Sequence, residues 1–288
     1  MSDAKFRAIV KQHAETSRLM GVDFVPVYRG RKSGTPGLAG EKGSSAARSE
    51  PEAERKPAAK ARAAAPREEA DTEEVAKPNS IPVAALAEDR DRSKAQAELD
   101  ALRRAYEKDA PHDAFGTTFT KIVFGEGDPC AGLCFVGEAP GEDEDLSGRP
   151  FVGRAGQLLD KMIVAMGLKR EQVYICNVLK TRPPGNRPPT VQEVSACKPY
   201  LLRQLAIVRP MAVVALGLSA THALLDTVEP MARLRGQWWE MADATGRKIP
   251  LMPTYHPAFL LRSYTEENRR KVWSDLQLAM TRVGLRKA

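Results

Sequence analysis

Three polar side chains stand where apolar, strand-like runs end in this 288-residue chain. Glu138 follows LCFVG (133–137), Asn177 lies late in VYICNVL (173–179), and His256 closes IPLMPTYHP (249–257). A fourth run, MAVVALG (211–217), ends on Gly217. A carboxylate, an amide and an imidazole are the groups of acid–base and hydrogen-bond chemistry. GRPFVGRAG (148–156) sets Phe151 among glycines just before a helix. It is either a flat wall for a planar ligand or a core phenylalanine that fixes how the helix starts. VLKTRPPGNRPP (178–189) offers Lys180, Arg182 and Arg187 as phosphate contacts, or is merely a rigid surface connection. In TYHPAFLLR (254–262), His256 precedes a proline-locked turn. Phe259, Leu260 and Leu261, beside Arg262, read as a wedge for a DNA base stack. GEAPGEDED (137–145) is a tight turn presenting backbone N–H groups and Glu138. It has neither the dinucleotide nor the P-loop glycine pattern. Its acidic run 142–145 is a helix-capping or solvated stretch, or a metal site.

These residues need elements to bring them together. AGQLLDKMIVAMGL (155–168) carries Leu158, Leu159, Met162, Ile163 and Met166 on one helical face. Thr190 with Glu193 makes a capping box for a helix running to about Val208. Helices are expected over 92–108 and 266–283, a short helix over 219–225, and an edge strand or hairpin arm over 233–241. The βαβα order predicts an α/β fold, a three-layer α/β/α sandwich around a mostly parallel sheet. Ligands of such sheets bind beyond the carboxyl ends of the strands, which is where Glu138, Asn177, Gly217 and His256 gather.

Three segments are expected. Residues 1–28 form a short amphipathic element that either docks a protein partner or packs back on the domain. Residues 29–90 are low in aromatic and branched aliphatic residues and read as a disordered linker. Residues 91–288 form the folded domain, expected to be monomeric. Net charge is +7, and most of the excess falls in that domain, which suits a polyanionic partner or a solvated surface. Four cysteines are present, Cys130, Cys134, Cys176 and Cys197, with Cys134 and Cys176 in apolar runs. No apolar run reaches membrane-spanning length and no secretory leader is visible, so the cytoplasm is the default expectation.

GEAPG–ED–GRPFVG–AG, CNVLKTRPPGNRPP and TYHPAFLLR, in that order and spacing, resemble the family 4, thermostable-type uracil-DNA glycosylases of bacteria and archaea. The resemblance covers about residues 120–283. It implies a four-stranded parallel sheet between helices and hydrolysis of the N-glycosidic bond of uracil in single- or double-stranded DNA, leaving an abasic site. The base must leave the stack to be reached. By resemblance, Phe151 stacks on it, Asn177 reads its N3–O4 edge, and His256 donates to O2. Backbone N–H groups near Gly137 and Glu138 assist, and the Glu138 carboxylate orients water or stabilises the cationic sugar. Lys180, Arg182, Asn186 and Arg187 lie along the DNA backbone, while Leu260 and Arg262 hold the opened duplex.

The chain departs from the family at the four-cysteine 4Fe-4S cluster usual there. The upstream region 109–129 has no cysteine, Thr181 stands where the family has cysteine in K-C-R-P-P, and only Cys197 matches. No cluster and no other cofactor is therefore expected, since one thiolate cannot hold one. His112 and Asp113 lie near the lost pair as a speculative metal site. A second reading is a DNA-binding or regulatory relic without turnover. Covalent trapping of uracil-DNA, known in a related branch, is disfavoured because the loop lacks that branch's basic, histidine-containing insertion.

Overall fold

The computed structural model describes residues 90–116 and 118–285. The expected N-terminal segment 1–28 and nearly all of the linker 29–90 lie outside them. Arg90 is described, and its guanidinium donates to the carbonyls of Ile207 and Val208.

Four strands run parallel in the centre of the sheet: β2 (Leu133–Gly137), β3 (Tyr174–Asn177), β4 (Ala212–Leu216) and β6 (Lys248–Thr254). Two short antiparallel strands close the edges, β1 (Glu126–Gly127) on β3 and β5 (Trp239–Ala242) on β6. The order is β1-β3-β2-β4-β6-β5. Every residue of β2, β3 and β4 is buried, as a parallel sheet covered on both faces requires. The expected parallel centre is thus present, widened by two edge strands. Residues 233–241 divide differently from expectation. Met231–Leu234 is a helical turn, and the strand begins only at Trp239.

The helices are α1 (Arg92–Asp109), α2 (Glu142–Ser147), α3 (Arg154–Ala165), α4 (Val191–Val208), α5 (Leu218–Leu225), α6 (Met231–Leu234), α7 (Pro257–Arg262) and α8 (Glu266–Arg282). Side-chain alternation on the strands feeds two cores. Phe135, Ile175 and Val214 face Leu159, Ile163 and Leu276 of α3 and α8. Cys134, Cys176 and Val213 face Leu201, Leu205 and Ala223 of α4 and α5. Asp91 caps α1, and Thr190 caps α4 with Glu193 reciprocating. Glu193 is almost fully buried and is also held by both terminal nitrogens of Arg187, each at 2.7 Å. That pair, with the Thr190 contacts, outweighs burial and lowers its pKa to about 2.

A third cluster joins α1 to α4 through Leu102, Tyr106, Phe124, Leu179 and Cys197. Tyr106 is wholly buried at its centre, stacked on His112 and edge-on to Tyr200. Truncation removes a large buried ring with little room for collapse. Tyr106→Ala is expected to lower stability by about 3 kcal/mol or more in urea unfolding. A change below about 1 kcal/mol would show that this cluster does not hold α1 to the domain.

Candidate active site

Four strands end on one edge of the sheet, and their ends line one cavity of about 660 Å³. Glu138, Asn177, Gly217 and His256 all face it, joined by Phe151 and Tyr255. The chain passes from β2 to β3 on one side and later returns to β4 on the other. This reversal of direction leaves a crevice beyond β2, the usual ligand position of such sheets.

Asn177 ends β3 with its side chain buried, and its Oδ1 has no protein hydrogen-bond partner. Leaving a buried acceptor unpaired costs roughly 1–3 kcal/mol, so such an atom is a place for a ligand donor. Gly137, the register partner of Asn177, makes the arrangement possible. A Cβ at Gly137 would stand 2.3 Å from Asn177 Oδ1 and 2.4 Å from Phe151 Cζ. Amide and ring therefore meet in the space of an absent side chain.

Phe151 itself adopts φ 51°, left-handed backbone that costs a non-glycine residue roughly 1–2 kcal/mol. Its ring is nearly buried and lies 5.6 Å from the His256 ring at 30°. Glu144 supports the turn from the N–H side. Its Oε1 accepts from Val152 N and Gly153 N at 2.8 Å each, and its Oε2 accepts from Gly141 N at 3.0 Å. One carboxylate thus ties the loop carrying Glu138 to the loop carrying Phe151. The acidic run is accordingly a structural helix start: Asp145 is buried, accepting from Thr120 N and Lys121 N.

His256 caps α7, its Nδ1 accepting from Ala258 N at 3.0 Å. In the neutral ring the proton then sits on Nε2, leaving a donor for the cavity. Burial, and after it the charge of Arg262, lowers its pKa to about 4. The histidine is therefore an uncharged donor near neutral pH. Its strand is anchored just upstream, where the Thr254 hydroxyl donates to buried Asp275, itself paired with Arg235. Gly217, at φ 91°, gives His256 room: a Cβ there would stand 2.9 Å from His256 Cβ.

Two residues expected at a DNA surface are elsewhere. Lys180 is fully buried, donating from Nζ to Asn177 O at 2.6 Å and to Gln204 Oε1. It cannot reach a phosphate, and burial lowers its pKa. Leu260 is also buried, because Pro257 starts a helix instead of a loop and Leu260 faces the core. Arg262 is exposed at the cavity rim, with Phe259 half-buried on Tyr255 at 4.8 Å. Asn186 and Arg187 line the mouth, but Arg187 commits three donors to Glu193 and Pro188. Arg182 donates to Asn186 Oδ1 at 2.8 Å. The sequence reading took Glu144 only as part of the acidic run and did not single out Tyr255; the spacing of Glu144 from Gly141 was the available signal for its particular cap.

The residues do not fit a four-thiolate cluster. Cys197 Sγ lies 3.8 Å from the Tyr106 hydroxyl, within the aromatic cluster of His112, Phe124 and Tyr200. Cys134 and Cys176 are buried in neighbouring strands of the sheet. Among the described residues, no group of three or more His, Cys, Asp or Glu is arranged to hold a metal ion. His112 packs edge-on against Phe119 at 4.6 Å, and burial lowers its pKa.

The family model of the uracil DNA glycosylase superfamily matches residues 124–277. The chain is 45% identical over 161 residues to a type-4 uracil-DNA glycosylase of Thermotoga maritima, covering 56% of this chain and 82% of the relative. It is 44% identical over 164 residues to a type-4 uracil-DNA glycosylase of Archaeoglobus fulgidus, covering 56% and 81%. It is 34% identical over 147 residues to a type-5 uracil-DNA glycosylase of Pyrobaculum aerophilum, covering 46% and 63%.

The environment of His256 has a measurable signature. Its imidazole is expected to titrate near pH 4 in the folded chain by NMR. An unfolded histidine titrates near 6.5, so the unfolded state binds more protons between those values. The corresponding stability is complete above about pH 6.5 and is lost as pH falls toward 4. A midpoint near 6.5 in the folded chain would mean that the ring is solvated.

Proposed function

The chain belongs to the uracil-DNA glycosylase superfamily, among its type-4 members, and from that premise we infer how its residues divide the work of excising uracil from DNA. It is a DNA-repair hydrolase acting on N-glycosyl bonds, and turnover is supported over the inactive-relic reading by the joint presence of Glu138, Phe151, Asn177 and His256 in one cavity. The observation that carries the assignment of roles is the buried, unpaired Oδ1 of Asn177 beside Phe151.

Uracil presents a donor at N3 and an acceptor at O4. Cytosine presents an acceptor and a donor at the same two places. An amide whose oxygen takes N3–H and whose nitrogen gives to O4 accepts uracil and leaves cytosine with two mismatches. Sites of this kind discriminate strongly, because the wrong base strands buried polar groups. Phe151 supplies the stacking face for the flipped base.

Cleavage breaks the C1′–N1 bond, and its electron pair leaves with the base. Negative charge gathers on N1 and O2. The neutral His256 donates from Nε2 to O2, so stabilisation grows as the bond breaks. The sugar becomes cationic at C1′, and Glu138 faces it with a carboxylate. Water bonds to C1′, its proton passes by way of the Glu138 carboxylate to solvent, and the uracil anion takes a proton at N1. Lys180 holds the Asn177 carbonyl from behind, contributing placement instead of phosphate contact. Arg262 and Asn186 at the rim are the assigned contacts to the DNA strand, with Arg182 and Arg187 as partly committed neighbours. Residues 1–28 remain a candidate partner-docking segment, and residues 91–288 the catalytic domain.

The test is release of uracil from single- and double-stranded oligonucleotides. Intact substrate after prolonged incubation with folded protein sinks the enzymatic assignment. Asn177→Asp is expected to weaken preference for uracil over cytosine, because a carboxylate cannot donate to O4; unchanged discrimination removes Asn177 from base reading. His256→Ala is expected to slow excision on the order of 100-fold, the worth of one lost oxyanion donor. A near-normal rate reassigns it to capping α7. Purified active chain is expected to contain no iron and to lack iron–sulfur absorbance, and stoichiometric iron overturns that expectation.

A further inference from the structure

A stacking wall is useful only if it does not move, and Phe151 stands in backbone that would relax if released. The sequence around it gives one reason for its conformation. Gly156 lies so close that a Cβ there would stand 1.9 Å from Phe151 O. Contact with a glycine blocks some alternatives but does not hold the peptide in place. Glu144 holds the two amides after Phe151. The carbonyl side needs its own restraint, and Arg170 provides it.

Arg170 sits in the short helical turn Arg170–Gln172, between α3 and β3, behind the residues that line the cavity. One terminal nitrogen donates to Pro150 O at 2.5 Å, and the other to Phe151 O at 3.2 Å. The planar fork therefore spans two successive carbonyls of the strained turn, a geometry that an ammonium cannot reproduce. The guanidinium is mostly withdrawn from solvent and is aimed by two carboxylates, Glu126 Oε1 and Asp160 Oδ1, each at 2.6 Å. Glu126 comes from the edge strand β1 and Asp160 from α3, so the fork is fixed from two directions. Arg149 holds the same Glu126 carboxylate from its outer side at 2.8 Å.

We propose that Arg170 is a positioning residue for uracil excision, acting through the Pro150 and Phe151 carbonyls to hold the Phe151 ring as the stacking wall of the base pocket. This rests on the uracil-excision reading above. Without the fork, the two carbonyls lose their donors and the Phe151 peptide is free to leave φ 51°. The ring then no longer lies where Gly137 and Asn177 leave room for it. A misplaced pocket group of this kind costs roughly 10- to 100-fold in rate.

The experiment is a double-mutant cycle on uracil release, using the full chain and a uracil-containing single-stranded oligonucleotide. The proteins are wild type, Arg170→Gln, Arg170→Lys, Phe151→Leu and the two combinations. Folding at the assay temperature is followed by circular dichroism. Arg170→Gln is expected to lower kcat/KM by about 10-fold or more, and Arg170→Lys by a smaller factor in the same direction. In the Phe151→Leu background, each Arg170 change is expected to lower kcat/KM further by less than about 3-fold, because the group it acts through is already gone. A role in stability alone would lower the melting temperature equally in both backgrounds and leave kcat/KM of the folded protein untouched. Losses that multiply across the cycle, or Arg170 variants within about 2-fold of wild type, overturn the assignment. If Arg170→Gln does not fold, the cycle with Arg170→Lys decides between the same outcomes. Wild-type chain that releases no uracil overturns the excision reading itself, and this assignment with it; active wild type with unaffected variants overturns only the role of Arg170.

Discussion

The pocket is organised around an absence, the missing side chain of Gly137. At the end of the central strand β2, this residue leaves room for the Asn177 amide and the Phe151 ring to meet. The amide belongs to the neighbouring strand β3, where parallel register sets it beside Gly137. The ring comes from the loop before α3 and must turn through left-handed backbone to arrive. Much of the surrounding polar structure follows from keeping that meeting in place. Glu144 bridges the two loops, Arg170 clasps the carbonyls, and Lys180 holds the peptide of Asn177 from behind. The close approach is specified by backbone, and the stabilising groups are charged side chains recruited to it.

The part of the site that was legible in sequence is the part dictated by the sheet. Short apolar runs ending in Glu138, Asn177 and His256 imply parallel strands, and parallel strands put their carboxyl ends on one edge. Misplaced residues were those whose chemical type disguised their position. Lys180 reads as a cation for phosphate because lysine is usually solvated. Here Asn177 O and Gln204 Oε1 take its protons, so its withdrawal from water is compensated. Leu260 reads as a wedge when 257–262 is taken as a loop. Once Pro257 becomes the first helical residue, Leu260 turns inward by helical geometry. The edge strand β1 and the helices α2, α6 and α7 escaped because none is longer than six residues, too short for periodicity to show, and β5 was placed too early for the same reason. The positive φ of Phe151 leaves no trace in its own residue type.

The region around Cys197 holds its segments together by packing. A metal cluster joins distant segments through a few strong bonds whose strength depends on redox state. Tyr106, His112, Phe124 and Tyr200 instead join α1, the following turn and α4 through stacked and edge-on rings. Dispersion and apolar burial are spread over many weak contacts and carry no redox dependence. Burial raises the pKa of Cys197 despite its contact with Tyr106, keeping it a thiol. The cavity edge of the sheet is held separately, because its strands are secured by their own cores on both faces.

The pairing of Arg187 with Glu193 bears on how the enzyme meets a polyanion. A cation strengthens DNA binding chiefly by displacing counterions condensed on the phosphates. Arg187 already has a buried carboxylate as its partner, and Arg182 has Glu142 at 3.6 Å. Each is partly neutralised before DNA arrives, so each releases fewer ions than an unpaired arginine would. On the proposed reading, the dependence of affinity on salt is then shallower than the number of arginines around the mouth suggests. The loop exchanges electrostatic reach for contacts within its own fold.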